Sequence, residues 1–97
     1  MIPAKVFSLI RLHAFRIREF NAQLMTVRRM PNAGRYEWEY RLQHEPAVLA
    51  SVARLTDIET LAVHKGICPD ALYAHVGGKP ELLPWSTDAL TWRRPAA

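Results

Sequence analysis

The stretch LMTVRRMPNAGRYEWEYRL, residues 24–42, decides the fold class. Its second arm alternates: Tyr36, Trp38, Tyr40 and Leu42 interleave with Glu37, Glu39 and Arg41. Side chains that alternate in this way face opposite sides of a strand, and aromatic residues favour that pleated surface. Met30-Pro31-Asn32-Ala33-Gly34 is rich in turn formers, and Met25 to Met30 supplies a first arm. We therefore expect a β-hairpin across Leu24–Leu42, in an α+β, helix-dominated fold. Where the preceding helix gives way to it is open by several residues, and residues 22–30 read as helix or as strand.

Working back from this stretch, Ala4 to Met30 contains neither Gly nor Pro, and Pro3 suits the first turn of a helix. Val6, Ile10, His13, Ile17, Phe20, Leu24 and Val27 recur at alternating four- and three-residue steps, the spacing of one helix face. We place a helix from Ala4 to Ala22. Phe7, Leu9, Leu12 and Phe15 lie off that stripe, so the helix is expected to be covered on two sides, the second by another copy of the chain.

Working forward, Pro46 suits a helix start, with Val48, Leu49, Val52 and Leu55 as its apolar stripe. Thr56 and Glu59 have the spacing of a capping box for a further helix carrying Ile58, Leu61 and Ala62. Gly66 is placed to stop that helix, Pro69-Asp70 to open a third, and Gly77-Gly78 to end it. Ala89–Trp92 reads as a short edge strand. The expected organisation is one domain over 1–97: a basic helix plus hairpin in 1–44, a three-helix helix-turn-helix-like unit in 45–83, and a tail in 84–97.

Composition bounds the function. The 97 residues and 11.1 kDa suit a single domain, and 49% apolar with 23% charged residues is ordinary globular composition. No apolar run is long enough to cross a bilayer. A single cysteine, Cys68, excludes an intramolecular disulfide framework and a multi-cysteine zinc site, and it points to a cytoplasmic setting. The Arg-rich N-terminus lacks the serine content of a transit peptide and the separate apolar run of a secretory signal, so it reads as part of the mature domain.

The net charge of +4 and pI near 9.7 invite an anionic partner. The charge is unevenly spread. Lys5, Arg11, Arg16, Arg18, Arg28, Arg29 and Arg35 face only Glu19 within residues 1–35, whereas the middle of the chain is acidic. Arginines outnumber lysines ten to three, which favours planar recognition of phosphate or carboxylate.

Two short helices joined by Gly66-Ile67-Cys68 have helix-turn-helix spacing. Residues 57–83, DIETLAVHKGICPDALYAHVGGKPELL, resemble the helix-turn-helix of the tetracycline-repressor (TetR) family of transcription regulators. Leu61-Ala62, Gly66, Cys68-Pro69, Leu72-Tyr73, His75, Lys79 and Leu82-Leu83 carry the likeness without a gap. The resemblance implies a small DNA-binding regulator, read through residues 68–76 in the major groove. It implies that Tyr73 and Lys79 contact phosphate, that Asp70, Ala71 and Ala74 face the groove, and that His75 touches phosphate or a base edge. Lys65 completes the expected DNA-binding set. Because dimers read two half-sites, a homodimer on double-stranded DNA is expected.

The alternative expectation belongs to another class. Lys65 and Lys79 are outnumbered in residues 57–83 by Asp57, Glu59, Asp70 and Glu81, while phosphate contacts need cations. A small interaction or inhibitor protein, such as one encoded by a mobile element, would instead bind a larger protein assembly through Arg11, Arg16, Arg18, Arg28 and Arg29.

Other chemistry ranks lower. His64, Cys68 and His75 lack a fourth ligand at zinc spacing, so no metal is expected. No base or oxyanion donors mark Cys68 as a nucleophile, and no phosphate loop or hydrolase elbow is present, so neither an enzyme nor a cofactor is expected. The aromatics of residues 36–40 read as core rather than as a stacking platform for single-stranded nucleic acid. The amphipathic N-terminal helix reads as core or dimer helix rather than as a membrane-surface segment.

Overall fold

The computed structural model describes residues 2–81, and they are all-α. Helix α1 spans Ala4–Arg28, α2 spans Ala33–His64 and α3 spans Pro69–Tyr73, continued by a 3-10 turn over Ala74–Val76. No strand occurs among the described residues, so the expected β-hairpin over Leu24–Leu42, and with it the α+β class, is corrected. Leu24 to Arg28 complete α1, and Ala33 to Leu42 open α2.

The physical reason lies in the charges that alternate with the aromatics. On a helix, residues four apart are neighbours, and Arg35 reaches Glu39 at 3.2 Å while Arg41 reaches Glu37 at 3.3 Å and also Glu45. On a strand these pairs would be spread along the chain. The turn formers do make a turn, but between helices: Arg29 caps α1, and Asn32 takes a left-handed φ of 59° before α2 begins. Such short loops join antiparallel helices into an αα-hairpin.

Two further helix starts are also absorbed. α2 continues through Pro46, and Thr56 donates its hydroxyl to the Val52 carbonyl at 3.0 Å instead of capping a new helix. The three-helix unit expected over 45–83 is therefore the distal half of one long helix followed by α3. The proposed edge strand at Ala89–Trp92 and the tail lie outside the described residues.

Helix ends follow the glycines. The Ile67 amide donates to Ala62 O at 2.8 Å and the Gly66 amide to Val63 O at 3.0 Å, with Gly66 at φ 75°. This is the paired closure of a Schellman motif, which requires a left-handed residue at that point. Gly77, at φ 82°, repeats the device, with Gly78 N–H donating to Tyr73 O.

The core runs along the hairpin and closes under α3: Ile10, Ile17, Phe20 and Leu24 of α1, Val48, Leu55 and Ala62 of α2, then Leu72 and Tyr73. One polar pair crosses its middle, His13 Nδ1 and Ser51 Oγ at 2.9 Å, both residues buried. At the hairpin loop, Arg28 of α1 grips Glu37 of α2 at 2.6 and 3.1 Å. Arg41, its side chain 1% exposed, lies between Glu37 and Glu45. From the middle of α1, Arg18 donates to the carbonyls of Val76 and Gly78, and Asn21 to that of Glu81, which tie the segment after α3 back along α1.

Candidate functional site

The helix-turn-helix residues divide into two groups. Lys65, Asp70, Ala71, Ala74 and His75 are exposed. Tyr73 is not: it is 2% exposed in the core, and its hydroxyl has no hydrogen-bond partner among the described residues. Burial, and then the nearby Glu59 carboxylate, hold the phenol far above its ordinary range. Lys79 is exposed, its side chain 55% accessible, but its Nζ is paired with the Glu59 carboxylate at 3.2 and 3.4 Å and lies 6.0 Å from the Tyr73 ring centre. His75 sets its ring against Phe7 of α1, edge-on at 4.7 Å between centres. Of the two phosphate grips implied by the resemblance, then, Tyr73 is buried and the exposed Lys79 is paired with Glu59, and the outer side of α3 carries Asp70 as its charged group.

The five arginines of the alternative reading are likewise not one cluster. Arg28 belongs to the ion-pair clasp at the loop, and Arg18 to the carbonyls of Val76 and Gly78 in the segment after α3. Arg29 is exposed beside the hairpin loop, about 20 Å along α1 from Phe15 at helical rise. Arg11 and Arg16 are exposed with no ion pair among the described residues.

Between those two arginines sits a feature that the sequence reading assigned to a covered surface. Leu12 is 44% exposed and Phe15 60% exposed. The buried residues of α1 (Ile10, Ala14, Ile17 and Phe20 among them) turn towards α2 and α3, which leaves Ser8, Leu12, Phe15 and Glu19 on the outward side. Residues three and four apart adjoin on a helix, so Leu12 touches the Phe15 and Arg16 positions, and Arg11 stands one turn before Phe15. The signal was the pair of large apolar residues lying off the core stripe.

Beside this patch, Arg16 also borders a shallow trough of about 500 Å³ between α1 and α2, floored by Phe20, Tyr40 and Val48. Phe20 and Tyr40 stack there at 5.2 Å, and His44 lies 4.6 Å from the Tyr40 ring. The described residues hold no group of three or more His, Cys, Asp or Glu arranged to bind a metal, and no helix among them is long and apolar enough to cross a membrane. Compared with protein-family models, curated proteins and solved structures, the chain finds no match in any of the three.

Proposed function

We propose that this chain is a small helical binding protein that docks onto an acidic face of a partner protein through the outward side of α1. The observation that carries the reading is Phe15, 60% exposed beside Leu12 and flanked by Arg11 and Arg16. An aromatic anchor bordered by arginines is the composition from which binding hot spots are built. The guanidiniums supply bidentate pairing to carboxylates, steering and register, and Phe15 and Leu12 supply the area to be dehydrated. Such a protein acts by occupying its partner's surface. DNA recognition through α3 is less well supported, because Tyr73 is buried in the core and the exposed Lys79 is already paired with Glu59.

The test compares variants on the two surfaces. Partner capture should be lost in Phe15→Ser and in Arg11→Glu/Arg16→Glu, and kept in Lys79→Ala and Ala71→Glu. Anisotropy with random-sequence duplex DNA between about 50 and 200 mM salt runs beside it, since phosphate contacts show themselves as a steep salt slope. Salt-steep DNA binding that survives the α1 variants and fails in Ala71→Glu would overturn this reading in favour of a DNA-binding regulator.

A further inference from the structure

The buried pair that crosses the core also marks a place on the surface. His13 of α1 and Ser51 of α2 meet at 2.9 Å and fix the level at which the two helices face each other. Three residues on from each stands an arginine, Arg16 on α1 and Arg54 on α2, and both are exposed. A step of three residues turns a side chain by about 60° from the first, and in antiparallel helices the two steps turn to the same side of the pair. That side faces away from α3, whose following segment is held from the opposite side by Arg18, Asn21 and Glu59. Along the hairpin the steps run in opposite directions, which sets the two arginines about 9 Å apart at helical rise with His13 between them.

Among the described residues, neither guanidinium takes part in an ion pair or a hydrogen bond. Glu19 and Asp57 stand a further three residues out, away from the crossing. His13 registers both cations: after burial, the charges of Arg16 and Arg54 hold its imidazole below the ordinary range. His13 is 8% exposed and its Nδ1 is taken by Ser51. Its Nε2 makes no hydrogen bond among the described residues, and it is not closed off from solvent. When the Ser51 hydroxyl donates to Nδ1, Nε2 carries the proton and donates outward. Two cations and a ring donor thus converge on one opening, an arrangement that an anion stabilises.

We infer that Arg16 and Arg54, with His13 Nε2 between them, form the seat for one carboxylate of the acidic partner, so that the docking surface crosses from α1 onto α2. The inference rests on the docking function and gives it a fixed anionic position. Arginine pairs bidentately with a carboxylate, and two of them fix its orientation. Leu12, 44% exposed and one turn before Arg16, joins the seat to Phe15, while Ala50, exposed one turn before Arg54, leaves room for the partner's chain.

Glutarate is the probe, titrated at constant ionic strength into the isotope-labelled protein while the His13 ring signals are followed between about pH 5 and 8, the window of histidine titration. A seated carboxylate opposes the two arginines, so glutarate should move the His13 titration saturably to higher pH, and chloride at the same ionic strength should not. Arg54→Gln lies on the surface and spares the fold; it should weaken glutarate about two- to fivefold, the range of an exposed ion pair. Arg35→Gln, at the loop end, should leave glutarate unchanged. Arg54→Glu should abolish partner capture as Arg11→Glu/Arg16→Glu does. Absence of a saturable shift, or an equal one with chloride, would overturn the seat, as would inorganic phosphate binding more tightly than glutarate while capture survives Arg54→Glu. Capture that fails in Phe15→Ser but survives Arg54→Glu would overturn the seat and leave the docking function standing. Capture indifferent to Phe15→Ser, with glutarate still seated, would overturn the docking function and keep the carboxylate site.

Discussion

His13 shows how much one buried polar side chain can report. It is 8% exposed and meets Ser51 across the helix pair at 2.9 Å. Burial first, and then the positive charges of Arg16 and Arg54, hold the imidazole below its ordinary pKa. The unfolded chain therefore binds the extra proton more readily. Stability is full above about pH 6.5, the ordinary histidine value, and declines as pH falls towards the folded pKa. Thermal unfolding should show a lower Tm at pH 5.5 than at pH 7.5, and His13→Gln, which keeps a partner for Ser51 but does not titrate, should flatten that slope. An unchanged slope in the variant would remove His13 as the cause. Glu37 adds a second, more acidic window. Its hydrogen bond to Arg28, helped by Arg41, keeps the carboxyl low against the opposing effect of burial, so its contribution is present above its ordinary pKa and is lost as pH falls through the folded one. Arg41 is the costliest single residue to remove. Arg41→Ala strands the half-buried Glu45 and leaves Glu37 to Arg28 alone, and should cost about 3–5 kcal/mol in urea titrations, the range for breaking a buried pair from one side.

Among the elements, α2 was the hardest to see and α3 the easiest. Glycine and proline write helix ends directly into a sequence. Gly66, Pro69 and Gly77 stand where the reading placed them because left-handed backbone and a missing amide leave few alternatives. The early part of α1 was equally legible from its apolar spacing, whereas α2 carries conflicting marks. Tyr36, Trp38 and Tyr40 alternate as a strand would, Pro46 and Thr56 each look like a start, and the helical charge pairs Arg35–Glu39, Glu37–Arg41 and Arg41–Glu45 were the overlooked signal. The site was less legible than the fold. Whether Tyr73 faces DNA or the core depends on which side of α3 meets α1, and spacing alone does not state that. Pro46 also makes α2 testable, since it interrupts the helix ladder by removing an amide donor and leaves the residue four before it, Leu42, short of one. Because Pro46 is exposed, Pro46→Ala restores the bond without disturbing the core, and should raise stability by about 1–3 kcal/mol in the same urea titrations. A loss of stability would mean that α2 depends on its proline.

At the scale of the molecule, the described residues span 53 × 21 × 17 Å, and their polar fastenings fall into separate groups along the hairpin. The loop end is closed by Arg28, Glu37, Arg41 and Glu45, His13 and Ser51 pair across the middle, and the segment after α3 is held by Arg18, Asn21 and the Lys79–Glu59 pair. No side chain belongs both to the loop-end group and to the group that holds the segment after α3. Opening at one end should therefore leave the other protected, the behaviour of separate local unfolding units. Arg18→Ala removes the hydrogen bonds to Val76 and Gly78, and the Gly78 amide, bonded to Tyr73 O, is a natural reporter. Hydrogen exchange in this variant should accelerate from Tyr73 to Glu81 while amides from Glu37 to Glu45 keep their protection. A uniform acceleration would show instead that the two ends open as one unit. Partner capture gives the same variant a second use. Arg18 is engaged with the segment after α3, whereas Arg11 and Arg16 are exposed without ion pairs. Arg18→Ala should thus loosen the open end without weakening capture, and Arg11→Glu/Arg16→Glu should weaken capture without loosening the open end. The reverse pattern would place the partner on α3 rather than on the outward face of α1.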